Sequence, residues 1–389
     1  MTDFRLADLV APRTVDDFLH GTYARAWARY DGMPGRFSGL ASWEVVNSLL
    51  ATQVFETPRF RVVREGVLVP ADTYSEPADR TGATPHRRVV VERLLDELRN
   101  GASLVCNRVD QVHEPIARLA AVLESELGAS VTSTMFASWA PVPGFVEHWD
   151  DHDVFVIQLD GRKHWRIYEP TRQGSVYRRR EGPPAVEFDL TAGDVLYLPR
   201  RWWHSVSAVG EPSLHLTIGI DLEDGIDFLT WLVDRARAHE LFRKRLPRKA
   251  DERQKQEYIA AIRAHWNELI APEDIVDQFL AHADGTSRGR PLFGLPGLLD
   301  EDSVLDSRSA RVMLLATRAT VIPANDGYIL TALGRRWSFP AATKPLIDAI
   351  LSHSDLTVEQ LLELNVGVSA ERSARVIFTL LKAGVVALR

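Results

Sequence analysis

The sequence predicts an α+β fold in which a first part that mixes helices and short strands is followed by two further parts. Residues 1–222 mix helical patterns with short β-rich runs, whereas residues 223–300 are mostly helical in pattern. Residues 301–389 end in a helix that Gly384 terminates before a short apolar strand. We therefore expect three domains with these bounds.

Length and composition indicate a globular, multi-domain protein. The 389 residues, of which 45% are hydrophobic, suffice for two or three apolar cores. The net charge of −7 argues against a protein that coats a polyanion, because phosphate binding needs a concentrated positive field. The sequence shows neither a basic leader followed by an apolar run nor a membrane-spanning stretch. Cys106 is the single cysteine, so it has no internal disulfide partner and we expect a cytoplasmic protein.

An apolar stripe in the helical region predicts self-association. Its members, spaced near the helical period, are Tyr258, Ile259, Ile262, Trp266 and Ile270. The stripe can pack on its own domain or on a second copy of the chain. We expect a homodimer.

The C-terminal part has the pattern of a winged helix, with a helix expected around Lys344–His353. Its candidate recognition helix, SARVIFTLLKAG, carries only Arg375 and Lys382 as cations, so we expect protein packing and no direct nucleic-acid readout. Basic clusters at Arg178–Arg180 and Phe242–Gln256 could meet a nucleic acid or an acidic partner, but a solvated basic face is the preferred interpretation.

Two candidate metal ligands precede a pair of predicted strands. The runs VFVIQL and HWRIY flank Asp160-Gly161, which suits a tight turn, so an antiparallel hairpin is expected. His148 and Asp150 lie two residues apart, and on an extended chain both side chains leave the same face. His152 would pair with His148 on a helix, but the extended run favours Asp150 and places His152 behind the ligands or at the surface.

The third candidate ligand, His204, comes after a Gly193-Asp194 turn and the strand VLYLP. His-x-Asp with a distant His is the ligand set of non-haem iron(II) oxygenases and leaves coordination positions open. Zinc accepts the same donors. Asp151 and Asp153 flank the site, where they orient a ligand, contact a basic substrate or lie exposed on a loop.

The ordered set of motifs around these ligands resembles the JmjC-domain oxygenases, specifically the ribosomal oxygenase branch. The resemblance covers most of the chain. The matching residues are His148, Asp150, Phe155, Gln158, Leu159, Gly161, Arg162, Lys163, Trp165, Gly193, Asp194, Leu196, Tyr197, Leu198, Pro199, Arg200 and His204.

This resemblance implies a double-stranded β-helix (cupin/jelly-roll) JmjC barrel, a helical dimerisation region and a C-terminal winged-helix domain. It also implies Fe(II) held by the three ligands and 2-oxoglutarate as cosubstrate, with Lys163 binding the distal carboxylate. Thr217 matches a polar residue near the cosubstrate, with a core threonine as the alternative, and Thr134 stands where relatives carry Asn. Gly219 stands where relatives carry Ser, so the exact contacts of the cosubstrate differ from theirs.

Lys163 stands out without the resemblance as well. On its predicted strand it shares a face with Trp165 and Ile167, where a solvated lysine is unexpected. The alternative is a charge that protects a sheet edge. In LHLTIGI, His215 and Thr217 lie on the face opposite the leucines, and one of these faces lines the barrel interior.

The function implied is hydroxylation of a protein side chain, with a His or Arg of a ribosomal protein as the expected substrate. Three other interpretations stay open. They are the same chemistry on a peptide or other natural product, a catalytically silent binding module, and, ranked last, histone-type demethylation.

Overall fold

The computed structural model describes residues 4–52, 59–78, 87–141, 145–169, 182–287, 290, 302–352 and 356–388. The chain divides into two compact units, Met1–Leu222 and Glu223–Arg389. This boundary falls where the sequence predicts the first domain to end, and the further division at residue 300 stays a prediction. The basic cluster Arg178–Arg180 lies outside the described residues.

The first unit contains thirteen described strands and six described α-helices. The strands are β1 Ala28–Tyr30, β2 Phe60–Arg64, β3 Val67–Leu68, β4 Ser75–Pro77, β5 Arg87–Val89, β6 Ser103–Asn107, β7 Ser130–Ser138, β8 Asp153–Asp160, β9 Arg162–Ile167, β10 Val186–Thr191, β11 Val195–Leu198, β12 His204–Ala208 and β13 Ser213–Asp221. The helices are α1 Leu6–Val10, α2 Val15–Asp17, α3 Trp43–Thr52, α4 Ala71–Tyr74, α5 Val91–Arg99 and α6 Glu114–Leu127.

Two antiparallel sheets of this unit carry the site. The larger sheet has the order β1-β11-β8-β13-β7-β6-β2-β3, and the smaller has the order β10-β9-β12. Side chains from both sheets line one cavity, so the two sheets enclose it as the walls of a barrel. The expected barrel is therefore confirmed.

The hairpin expected at Asp160-Gly161 is wrong, although both strands form. β8 pairs with β11 and β13 in the larger sheet, whereas β9 pairs with β10 and β12 in the smaller one. Gly161 has φ +63°, and a Cβ there would lie 2.0 Å from the carbonyl oxygen of Pro212. The tight turn therefore passes the chain from one sheet to the other instead of folding it back.

The core of this unit lies between the larger sheet and the N-terminal helices. Apolar residues of α1, α3, α5 and α6 pack with alternate residues of β2, β6, β7, β8 and β13. A second cluster, which includes Val154, Trp165 and Leu196, fills the space between β8, β9 and β11. Cys106 is buried in the first core, and burial raises the pKa of its thiol to about 12, as expected of an inert cysteine.

The second unit begins with helices and ends with a mixed set of elements. Its described helices are α7 Gly225–Ala236, α8 Glu240–Arg243, α9 Glu252–Ile270, α10 Ile275–Thr286, α11 Asp302–Asp306, α12 Lys344–Leu351, α13 Val358–Leu364 and α14 Ala370–Ala383. Its described strands are β14 Val312–Leu314, β15 Thr320–Ala324, β16 Gly327–Ala332, β17 Arg335–Pro340 and β18 Val386–Leu388. The assignment of the last elements to the winged-helix class stays a prediction.

The predicted apolar stripe lies on α9. Trp266 packs against a small cluster that contains Trp231 of α7 and Phe279 of α10. Ile259 and Ile270 remain exposed, and α9 contains no buried residue. Among the described helices of the whole chain, none has the length and apolar character needed to cross a membrane.

Candidate metal centre

His148, Asp150 and His204 come together as the sequence predicts. His204 opens β12, and an antiparallel bridge joins its backbone to that of His148, with N–H···O distances of 2.8 and 3.1 Å. The Nε2 atoms of His148 and His204 lie 4.0 and 3.7 Å from the two carboxylate oxygens of Asp150. One potential ligand atom from each residue lies within 4.8 Å of the others, a spacing at which all three can bind one ion.

Hydrogen bonds to backbone carbonyls orient both imidazoles so that their Nε2 atoms face the position of the metal ion. The Nδ1 of His148 lies 2.9 Å from the carbonyl oxygen of Val146, and the Nδ1 of His204 lies 3.0 Å from that of Trp202. Because only a protonated Nδ1 can bond to a carbonyl, each neutral ring keeps the lone pair of Nε2 for a metal. Burial, and then repulsion from the protonated form of His148, lowers the pKa of His204 to about 4, so the His204 ring is neutral at physiological pH.

A cavity of about 370 Å³ adjoins the three ligands. Its lining includes all six residues predicted for the site. These are His148, Asp150 and His204 together with Lys163, Thr217 and Thr134.

Lys163 is a buried cation on the inner face of β9. It is 5% exposed, and burial lowers the pKa of its ammonium group to about 7. Its neighbours on the same face, Trp165 and Ile167, are buried too, so the alternative of an edge lysine is wrong. No partner within the described part of the chain neutralises this group, which leaves it free for an anionic ligand.

The two threonines lie side by side on the larger sheet, because Thr217 of β13 is the register partner of Thr134 of β7. The hydroxyl of Thr134 donates to Oδ1 of Asn107 at 3.3 Å. Both residues therefore lie on the cavity wall, and their contact with a cosubstrate stays a prediction.

Comparison with known proteins starts from the part of the chain that carries this site. Residues 107–227 match the family described as "JmjC domain". These residues form a JmjC domain. The match includes all three ligands, Lys163 and both threonines.

Among curated proteins, the chain is similar to ribosomal oxygenase 1 of Gallus gallus, with 28% identity over 54% of this chain and 35% of that protein. It is 35% identical to ribosomal oxygenase 2 of Bos taurus over 36% of this chain and 34% of that protein. Drosophila persimilis NO66, named a bifunctional lysine-specific demethylase and histidyl-hydroxylase, is 27% identical over 55% of this chain and 31% of its own length. The chain thus spans about a third of the length of these relatives.

Solved structures show the same fold over nearly the whole chain. YcfD, a ribosomal oxygenase from Escherichia coli, superposes with a TM-score of 0.63 at 20% identity, covering 97% of this chain and 98% of that one. The same protein in complex with cobalt and 2-oxoglutarate gives a TM-score of 0.57 at 19% identity, with 96% and 98% covered. The fold of this chain, within the JmjC domain and beyond it, is therefore that of YcfD.

The two flanking aspartates of the JmjC domain differ in their surroundings. Asp153 is 3% exposed and accepts hydrogen bonds from the hydroxyl of Tyr197 and, at 2.8 Å, from the backbone N–H of Arg200. Asp151 is exposed and lies 3.4 Å from Arg201. Asp153 thus supports the chain segment that leads to His204, and neither aspartate lines the cavity.

His152 lies closer to the centre of the JmjC domain than the sequence suggests. It lines the cavity, and a Cβ built on Gly219 would lie 2.9 Å from Cδ2 and 3.0 Å from Nε2 of its ring. The imidazole therefore occupies the space that any side chain at position 219 would need.

Six polar residues that line the cavity were not among the predicted site residues, namely Arg61, Ser103, Asn107, Ser138, His152 and His215. His215 is buried, stacks on Phe136 with a centroid distance of 4.8 Å, and has an Nδ1 without a hydrogen-bond partner among the described residues. The alternation along β13 places it on the Thr217 face, which would have identified it. Arg61 and Asn107 lie on β2 and β6, and nothing in their sequence context points to the site.

Proposed function

We propose that this protein is an iron(II)- and 2-oxoglutarate-dependent oxygenase that hydroxylates a protein side chain. The observation that carries the proposal is the His148-Asp150-His204 cluster at a cavity whose buried cation, Lys163, has no counter-charge among the described residues.

The donor set fits iron(II). Two neutral imidazole nitrogens and one carboxylate make a facial set that leaves positions open for a bidentate cosubstrate and dioxygen. When bound, the metal and its cosubstrate supply an oxidant that inserts one oxygen atom into a C–H bond, while 2-oxoglutarate becomes succinate and carbon dioxide. Zinc has the same preference for these donors but supplies no redox chemistry.

The chain's own residues bind and orient the reactants. The Lys163 ammonium pairs with the distal carboxylate of 2-oxoglutarate, and the Thr217 hydroxyl donates to the same group. Trp165 and Phe136, which line the cavity, exclude water from the reacting centre.

The substrate we propose is a His or Arg side chain of a ribosomal protein. The names of the relatives, ribosomal oxygenase and histidyl-hydroxylase, support this choice. A cytoplasmic location accords with such a substrate, and cell fractionation tests it.

Succinate release tests the chemistry without a known substrate. Protein loaded with Fe(II) is incubated with 2-oxoglutarate and oxygen, and we expect succinate from the wild type but none above background from His148→Ala or Asp150→Ala. Lys163→Ala should raise the KM for 2-oxoglutarate. His164→Ala is the matched control, because its ring contacts Glu187 and Asp189 and does not line the cavity.

Two further outcomes decide between the alternatives. A ribosomal protein that gains the mass of one oxygen atom with the wild type, and not with Asp150→Ala, identifies the substrate. If wild-type protein binds Fe(II) but neither binds 2-oxoglutarate nor releases succinate, the oxygenase proposal is wrong and the silent binding module stands.

We propose further that the second unit forms a homodimer. Its helices expose large apolar side chains, among them Leu229 and Val233 on α7 and Ile259 and Ile270 on α9, between 41% and 49% exposed. A second copy of the same surface would cover them. Light scattering should give a dimer for the wild type and a monomer for Ile259→Arg, whereas Ile322→Arg, similarly exposed on β15, should remain dimeric.

A further inference from the structure

The cavity continues past the predicted cosubstrate residues onto β6 and β2. Arg61 of β2, Ser103 and Asn107 of β6, and Ser138 at the end of β7 line this extension. We call these four residues the polar annex. Arg61 and Ser103 precede residue 107, where the JmjC match begins, so two members of the annex lie outside the matched segment.

The annex contains buried donors without partners among the described residues. Nη2 of Arg61 donates to Oδ1 of Asn107 at 3.3 Å, but Nε of the same guanidinium is buried and unpaired. Ser138 is 3% exposed, and its Oγ has no partner either. Oδ1 of Asn107 also accepts a hydrogen bond from Thr134, so with two donors already bound this oxygen has little capacity to accept a third. A ligand with acceptor oxygens satisfies this arrangement.

A count of charges indicates that the ligand is an anion. Arg61 and Lys163 are the cations among the described residues that line the cavity, and Asp150, which faces the metal, is the carboxylate. 2-Oxoglutarate has two carboxylates, and under the proposed function one would bind the metal and the other would bind Lys163. Arg61, whose Nε is buried, is left without a negative partner among the described residues, and an unpaired buried charge costs free energy.

Sheet register separates Arg61 from the part of the cavity wall that carries His215. Arg61 lies opposite Val105, Val105 opposite Phe136, and Phe136 opposite His215, so three inter-strand steps, about 14 Å between α-carbons, separate Arg61 from His215. Lys163 is close enough to His215 for its charge to lower the pKa of that imidazole. This separation favours two anionic groups over one shared group.

We propose that the polar annex binds a carboxylate in addition to the one held by Lys163. Arg61 supplies the positive charge, and Ser103 and Ser138 supply hydroxyl donors. The inference rests on the proposed function in one respect, the assignment of the first carboxylate to Lys163. The second carboxylate belongs either to a separate molecule, such as an acidic side chain or a chain terminus of the substrate, or to a tricarboxylate that occupies both positions.

Calorimetry on cobalt-loaded protein tests the annex without turnover. Succinate has two carboxylates and tricarballylate has three. We expect wild-type protein to bind tricarballylate roughly tenfold more tightly than succinate, as one additional charge-assisted hydrogen bond allows. Arg61→Met should reduce this advantage to less than about twofold while the succinate affinity changes by less than about twofold. Arg59→Met is the matched control, since Arg59 donates to Arg108 and Gln111 and does not line the cavity.

A second titration identifies the source of the carboxylate. N-acetylglycine is added to cobalt-loaded protein saturated with 2-oxoglutarate. If N-acetylglycine binds the wild type but not Arg61→Met, the annex accepts a carboxylate from a separate molecule. If N-acetylglycine does not bind, while tricarballylate still binds more tightly than succinate, the annex is an extension of the cosubstrate pocket.

The proposal fails if wild-type protein binds tricarballylate no more tightly than succinate and does not bind N-acetylglycine. Water would then satisfy the donors of the annex. The proposal also fails if Arg61→Met weakens succinate and tricarballylate equally, because Arg61 and Lys163 would then share one carboxylate. Neither result depends on succinate release from 2-oxoglutarate, so failure of the proposed function would be seen separately.

Discussion

Lys163 links proton binding to cosubstrate binding. Its ordinary pKa of 10.5 is lowered to about 7 by burial, so near neutral pH the free protein holds a mixture of charged and neutral amine. A bound carboxylate favours the charged form and raises the pKa again. Affinity for 2-oxoglutarate should therefore be full below pH 7 and fall as pH rises, by up to about tenfold per pH unit well above 7.

Titration of 2-oxoglutarate into cobalt-loaded protein between pH 6 and 9 measures this dependence. The neighbouring His215 is neutral throughout, because burial and the charge of Lys163 lower the pKa of its imidazole. Lys163→Met should bind weakly with little dependence on pH. A wild-type affinity that stays constant across the range would show that Lys163 does not bind the distal carboxylate.

Gly219 and His152 are in close contact, and the effect of this contact on stability can be measured. A Cβ at position 219 would lie 2.9 Å from the His152 ring, so Gly219→Ala should destabilise the fold by about 1–3 kcal/mol through overpacking. In a His152→Ala background most of that penalty should disappear. Denaturant unfolding of the two single variants and the double variant gives the coupling energy. If the effects of the two substitutions on the free energy of unfolding were additive, the His152 ring would be moving aside at little cost.

At the scale of the elements, Asp153 joins the strands that position the metal ligands. The carboxylate, buried at the start of β8, accepts from Tyr197 of β11 and from the backbone of Arg200, four residues before His204. Asp153→Ala would leave these buried donors unpaired and should cost about 2–4 kcal/mol of the free energy of unfolding. Asp151→Ala, at an exposed site, should change it by less than about 0.5 kcal/mol. Similar losses in urea unfolding for both variants would contradict this role.

Strand patterns in the sequence predict where strands form better than which strands pair. The β-rich runs around Gly161 form β8 and β9, and the i, i+2 spacing of His148 and Asp150 places both at the metal centre. Turn residues indicate that the chain turns, but the contact of Gly161 with Pro212, which sends β9 into the other sheet, depends on distant residues. Arg61 escapes prediction for the same reason, because only the register of four strands brings it to the cavity.

At the scale of the whole molecule, the metal centre and the proposed dimer helices α7 and α9 lie in different units. The described metal ligands, the cavity and the polar annex all belong to Met1–Leu222. The exposed apolar side chains of α7 and α9 belong to Glu223–Arg389. Each unit has its own apolar core, so we expect their stabilities to respond to different ligands.

Differential scanning calorimetry with cobalt(II) tests that separation. A ligand that binds only the folded state stabilises it by about 2.7 kcal/mol at one hundred times its Kd, so cobalt should raise the unfolding temperature of Met1–Leu222 by several degrees. Cobalt should leave the unfolding temperature of Glu223–Arg389 unchanged. In His148→Ala, cobalt should no longer raise the unfolding temperature of Met1–Leu222. A single transition that moves as a whole would mean that the two units unfold together and that metal binding stabilises the entire chain.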